Sequence, residues 1–186
     1  DVDYLYTLRL ETIERLLKEG CSVSLSAPSN DRVEFFEKLG CTFYPTEFTP
    51  RGKNPVSNLG LLLKYVRLIK QVQPAVVLTY TIKANIYGGL VCRMLHAPQI
   101  ANMTGLGKAL MGKGVLQSTI QRLLRIAFKR ASTVFLQNER DLNYFLDHKI
   151  TNKEQSVLIP GSGVNLARHP LEEYPEDDGT IRLIFI

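Results

Sequence analysis

A doubly wound α/β domain, with a parallel sheet covered by helices on both faces, follows from three features of this 186-residue sequence. Short β-rich runs alternate with longer segments of helical period along most of the chain, the pattern of successive β–α–β units. Glycines and capping residues fall where that alternation needs helices to stop and start. A hydrophobic content of 45% supplies one substantial core, and one domain is the expectation for this length.

Strands are expected at 21–27 (CSVSLSA), 41–45 (CTFYP), 75–80 (AVVLTY), 98–102 (PQIAN), 132–137 (STVFLQ) and 156–159 (SVLI). Helical spacing occupies 9–19, 31–39, 57–72, 84–95, 114–131 and 138–147. In the third of these, Leu59, Leu62, Leu63, Val66 and Ile69 form an apolar stripe at i, i+3, i+4, i+7 spacing. Gly20 and Gly40 stand where a left-handed residue closes a helix. Asp31 is placed to cap the second helix, and Glu34 three residues later completes a capping-box pair.

Two boundaries depart from the regular pattern. The first helix, from about Arg9, should follow a buried strand, yet the preceding DVDYLYTL reads as loop, so a central strand is expected to be missing. Pro170–Gly179 (PLEEYPEDDG) is acidic and proline-bearing, and IRLIFI at 181–186 then reads as a new strand. The expected organisation is one domain over 1–165, a linker over 166–179, and the first strand of a second α/β domain over 180–186.

Cys21, Cys41 and Cys92 lie far apart in apolar segments without C-x-x-C spacing, and are expected to be reduced core thiols. No charged-then-apolar leader and no apolar run of about 18 to 20 residues occurs, which predicts a soluble, intracellular chain. His96, His148 and His169 share no motif and read as loop or surface residues.

The net charge of +5 is unevenly spread. Residues 1–47 and 139–186 each carry five basic and nine acidic residues, whereas 48–138 carries thirteen lysines and arginines and no acid. A polyanionic partner is the functional reading of such a block, and a solvated basic face is the bland one. Within it, Leu116, Ile120, Leu123, Leu124 and Ala127 share one helical face while Arg122, Arg125 and Lys129 line another. This basic amphipathic helix suits either a membrane surface or the outside of a core.

Chemistry in a doubly wound sheet gathers on loops beyond the carboxyl ends of the strands. After 75–80, the run TIKANIYGG puts Lys83 and Asn85 at a helix N-terminus, a position that favours anions. After 98–102 come Asn102, Thr104, Gly105 and Gly107, a paired-glycine loop whose amides suit an oxyanion or diphosphate. Asn138 after 132–137 is either a helix cap or a ligand contact. Gly161 and Gly163, in PGSGVN, mark either a turn or a substrate loop.

In this order, these pieces resemble the N-terminal, acceptor-side domain of retaining family-four glycosyltransferases of GT-B architecture, of the bacterial capsule and O-antigen type. The matching residues are Arg9 with Glu11, RGKNP at 51–55, PAVVLTYTIKANIYG at 74–88, NMTGLG at 102–107, FLQNERD at 135–141 and PGSGVN at 160–165. The family's first strand with its glycine loop, and its donor-binding half, have no counterpart in this sequence. The resemblance implies the N-terminal Rossmann-like half of a GT-B fold. It also implies transfer, with retention, of a sugar from a nucleotide diphosphate sugar to a saccharide on polyprenyl diphosphate, in surface polysaccharide synthesis. The isolated chain would then be inactive.

Front-face attack, with the leaving phosphate oxygen taking the acceptor proton, needs no protein nucleophile, in keeping with the absence of a hydrolase-like carboxylate pair in 48–138. Catalysis would rest on positioning and on electrostatic stabilisation of the diphosphate. The resemblance assigns catalysis to Lys83 and Thr104. It assigns substrate binding to Arg9, Asn85, Asn102, Gly105, Gly107, Asn138, Gly161 and Gly163. No metal or other cofactor is expected beyond the nucleotide sugar co-substrate, and Arg122, Arg125 and Lys129 would face an anionic membrane on the inner side of the plasma membrane. Two other classes remain open at this point. A nucleic-acid-binding module would use the same basic block but lacks aromatic-interleaved basic strands and zinc-knuckle spacing. A GT-B sugar-nucleotide epimerase would need carboxylates that the middle loops lack.

Overall fold

The computed structural model describes residues 2–46, 55–112, 114–173, 179–181 and 183, without the side chains of 55–57, 108 and 109. The elements are α1 (Val2–Lys18), β1 (Ser24–Ala27), α2 (Val33–Lys38), β2 (Thr42–Pro45), α3 (Pro55–Val72), β3 (Val77–Tyr80) and α4 (Ile82–Leu95). They continue as β4 (Gln99–Met103), α5 (Gly107–Met111), α6 (Val115–Phe128), β5 (Thr133–Leu136), α7 (Glu139–Asp147) and β6 (Ser156–Leu158). All six expected strands form, and every pairing among them is parallel. The expected α/β architecture is therefore present.

The strands form a β1–β2 pair and a four-stranded sheet in the order β3–β4–β5–β6. Among the described residues no strand joins the pair to β3. The break falls between 21–27 and 75–80, where the doubly wound order calls for one more strand. Helix α1 bridges it instead, with the Tyr4 and Tyr80 ring centroids 6.3 Å apart and the Arg9 guanidinium carbon 4.5 Å from the Tyr80 centroid.

The first forty residues hold two corrections. Residues 2–8 are helical rather than loop. Once α1 extends to Val2, the apolar residues at 2, 5, 6, 10, 13 and 17 complete one face, which packs with Leu25, Ala27 and Phe36. Asp31 does not cap α2. The turn belongs to Asn30, whose main-chain oxygen accepts from Val33 N and whose Oδ1 accepts from Arg32 N at 3.0 Å. Gly20 and Gly40 do close their helices, at φ +82° and +104°, and the amides of Cys21 and Cys41 reach back to the Leu16 and Phe36 carbonyls.

The α3 stripe is rotated from its expected position. Leu61 and Ile69 are buried, Leu62, Tyr65 and Val66 pack with Val91 and Cys92 of α4, and Leu59 and Leu63 lie on the surface. The expected single helix over 114–131 is preceded by the separate α5, and Gly114, at φ +105°, opens α6. On α6, Leu124, Ala127 and Phe128 are buried with Ile120 and Leu123 against them, while Leu116 is exposed. Most of its apolar face thus belongs to the core. Cys41 and Cys92 are buried as expected, but Cys21 is exposed.

Helix α4 sits unusually close to its neighbours. A Cβ on Gly89 would come within 2.9 Å of Ala127 Cβ and 3.0 Å of the Gln99 side chain, so only glycine allows this approach. That contact seats the middle of α4 against α6 and the start of β4. Residues 51–54 of RGKNP, most of 180–186 and the middle of the 166–179 linker lie outside the described residues.

Candidate functional site

Parallel pairing brings the carboxyl ends of β3, β4, β5 and β6 to one edge of the sheet, with Tyr80 beside Asn102 in register. The segments at 81–85 and 102–107 are in contact. A Cβ on Gly107, which sits at φ +60°, would lie 3.1 Å from Ile82 Cδ1.

The turn from β3 into α4 passes through Thr81 at φ +71°, ψ +152°. A β-branched residue rarely adopts this region, and holding one there costs on the order of 1–3 kcal/mol. The Thr81 carbonyl accepts from Asn85 N at 2.9 Å, so the strained residue starts the helix directly at the strand end. Lys83 is half-buried in the first turn, and burial holds its ammonium below the ordinary lysine range.

Asn85 is fully buried and faces β4. Its Nδ2 donates to the Asn102 carbonyl at 2.9 Å and lies 3.0 Å from Met103 Sδ. Its amide therefore ties α4 to the end of β4. Asn102 is buried, with Oδ1 3.5 Å from Gln137 Nε2 at the end of β5. Thr104 is exposed, and Gly105 follows it at φ +156° with open space where a side chain would project.

Asn138 is a helix cap, its Oδ1 accepting from Asp141 N at 2.8 Å. Gly161 and Gly163 adopt φ +87° and +78° on either side of Ser162. Arg9, only 5% exposed, reaches this loop from α1, where Nη2 donates to Ser162 Oγ at 3.1 Å and to Tyr4 Oη at 3.0 Å. Gln137 Nε2 donates to the same Ser162 oxygen at 3.0 Å. Asn165 Nδ2 donates to Glu11 Oε1 at 3.1 Å, which lowers the Glu11 carboxyl below its usual range.

The sequence therefore marked the loops, but not Tyr4, Tyr80, Gln137 or Ser162 as members of the polar cluster. Gln137 and Ser162 are adjacent to Asn138 and to Gly161 and Gly163, which were singled out. Of the basic residues on α6, Arg122 and Lys129 are exposed. Arg125 is exposed too, but its guanidinium is committed to the end of α7, donating to His148 O at 2.8 Å and Lys149 O at 3.1 Å.

A parallel sheet flanked by helices, with its polar loops gathered on one edge, is a Rossmann-like arrangement, and comparisons with known proteins agree. A profile described as glycosyl transferase 4-like matches residues 1–138, and the chain belongs to that family. MurG of Acinetobacter baumannii is similar in structure, with TM-score 0.53 and 18% identity over 87% of this chain and 43% of that one. HepE of Anabaena in complex with UDP and glucose gives TM-score 0.56 and 14% identity over 84% and 41%. These likenesses establish the N-terminal-half GT-B fold, and the chain spans less than half the length of either structure. No curated protein sequence matches it significantly.

Proposed function

We propose that the chain is the acceptor-side part of a retaining glycosyltransferase that moves a sugar from a nucleotide diphosphate sugar to a saccharide on polyprenyl diphosphate, in surface polysaccharide synthesis. The observation that carries this reading is the meeting of the 81–85 and 102–107 loops at the carboxyl ends of β3 and β4, in a chain of this family. HepE, whose fold is similar, was solved with UDP and glucose, which supports a nucleotide sugar as donor. In this reading residues 1–165 bind the acceptor, 166–179 form a linker and 180–186 open a donor-binding domain.

Lys83 supplies positive charge to the departing diphosphate, and Thr104 with the amides near Gly105 and Gly107 positions the reacting groups. Asn85 acts indirectly, by fixing the end of β4. Asn102 and Arg9 extend the proposed site towards β5 and the Gly161–Gly163 turn. No metal is required, because the cationic side chains and loop amides meet the charge.

Among the described residues no helix is long and apolar enough to cross a membrane. A peripheral position on the inner face of the plasma membrane is supported by the exposed Arg122 and Lys129. It is further supported by apolar side chains at the α5–α6 corner, where Val115 is 85% exposed and Met111 and Leu116 are also on the surface. Calorimetry of the 186-residue chain with UDP tests the assignment of the half. Affinity weaker than micromolar is expected, because the donor site belongs to the other domain, and micromolar binding would show that the wrong half has been assigned.

A further inference from the structure

Arg9 is in an unusual position for a cation. It is 95% buried, and among the described residues no carboxylate lies within ion-pair distance of it. Its guanidinium carbon lies 4.5 Å from the Tyr80 ring centroid and 5.5 Å from that of Tyr4, and Nε is buried without a hydrogen-bond partner. Two aromatic faces offset part of the desolvation cost. They do not replace a counter-charge, and an uncompensated buried ion is strongly unfavourable.

The donors around Arg9 converge. Arg9 Nη2 from α1 and Gln137 Nε2 from the end of β5 meet on a single oxygen, Ser162 Oγ, at 3.1 and 3.0 Å. One cationic and one neutral donor aimed at one point match an anionic oxygen better than a neutral hydroxyl, because the charge-assisted bond is about twice as strong. Ser162 is exposed and stands between two glycines at positive φ, around which no atom would obstruct a side chain. The far end of its turn is held separately, through Asn165 on Glu11. The Ser162 hydroxyl can therefore swing away while the turn stays attached.

We propose that Arg9 and Gln137 form an oxyanion subsite for a phosphoryl group, covered by the Ser162 hydroxyl until a phosphoryl oxygen displaces it. Tyr80, the last residue of β3, links this subsite to the first turn of α4. A diphosphate can thus run from Arg9 towards Lys83, across the sheet edge where Asn102 lies. The subsite itself follows from the geometry of Arg9, Gln137 and Ser162. It rests on the transferase reading only for the source of the phosphoryl group, a substrate diphosphate.

Titration of the 186-residue chain with inorganic pyrophosphate at low ionic strength tests the subsite. Ser162→Ala should bind pyrophosphate roughly twofold to tenfold more tightly, because it removes the competing hydroxyl. Arg9→Gln should bind at least about tenfold more weakly. Gln137→Leu should weaken binding by roughly twofold to tenfold and leaves the packing of α1 in place, so it decides the matter if Arg9→Gln fails to fold. Pyrophosphate affinity that is unchanged in Ser162→Ala and Gln137→Leu would overturn the subsite, whatever the complete enzyme does. Affinity that follows these residues in an enzyme that transfers no sugar would keep the subsite and overturn the assigned source.

Discussion

Replacing Thr81 by glycine should stabilise the chain, although it deletes a side chain at the β3–α4 junction. Thr81 holds φ +71° and ψ +152° at the junction of β3 and α4, a region costing a β-branched residue about 1–3 kcal/mol. Glycine removes that cost but adds about 0.5–1 kcal/mol of chain entropy in the unfolded state. The net gain is then roughly 0–2.5 kcal/mol, centred near 1, and at about 2–4 °C per kcal/mol for a chain of this size Tm should rise by a few degrees. Thr81→Ala is the necessary comparison, because alanine keeps the Cβ and hence most of the strain. Thermal and urea denaturation followed by circular dichroism should rank glycine above both alanine and threonine. If Thr81→Gly is less stable than Thr81→Ala, the backbone there is not strained and the argument for a locked strand–helix junction fails.

Glycine is also decisive in the neighbouring loop, where Gly107→Ala should cost about 1–2 kcal/mol from its left-handed φ alone and should press on Ile82 Cδ1, 3.1 Å from the new methyl. Gly105→Ala also strains the backbone, at φ +156°, but meets no neighbour, so it should lower stability while leaving α4 undisturbed, and amide exchange in α4 that is unchanged in Gly107→Ala as well would contradict the contact between the loops. Burial pushes the Cys92 thiol up to about 11, so its protonated form is the one the fold holds. Stability from this group is fully present below pH 9 and falls as pH rises through about 11, by an amount on the order of 1–3 kcal/mol. Urea midpoints at pH 8 and pH 10.5 should show that loss in the wild type and much less of it in Cys92→Ala, and equal slopes would contradict it.

The strands were legible in the sequence because each is a short apolar run between turn signals, and all six formed within a few residues of the expected bounds. The start of α1 was not, since DVDYLYTL is short and the residues that complete its face, Leu10, Ile13 and Leu17, come later in the chain. The same limit explains α3. Its spacing allows two overlapping stripes, and only the position of Val91 and Cys92 on α4 selects the one that includes Leu61 and leaves Leu59 exposed. Asp31 and Asn30 are both capping residues in a polar run, and the turn geometry, not residue type, chooses Asn30. In the site, the glycine loops and Lys83 announced themselves by type and position. Tyr80, Gln137 and Ser162 did not, because their grouping depends on three strand ends and α1 meeting across more than 150 residues of sequence, as in the Arg9–Ser162 contact.

The β3–α4 and β4–α5 loops are proposed to act on the substrate diphosphate, and Lys83 tests that role most directly. In the complete enzyme, kcat/KM for sugar transfer should be measured for Lys83→Ala beside Lys38→Ala, a surface lysine of α2 paired with Glu34 far from the cleft. Lys83→Ala should lose roughly 10² in kcat/KM, the scale of one preorganised charge acting on the transition state, while Lys38→Ala stays at the wild-type value. A folded Lys83→Ala enzyme with wild-type kcat/KM would contradict the account and leave the family and the fold without these residue roles.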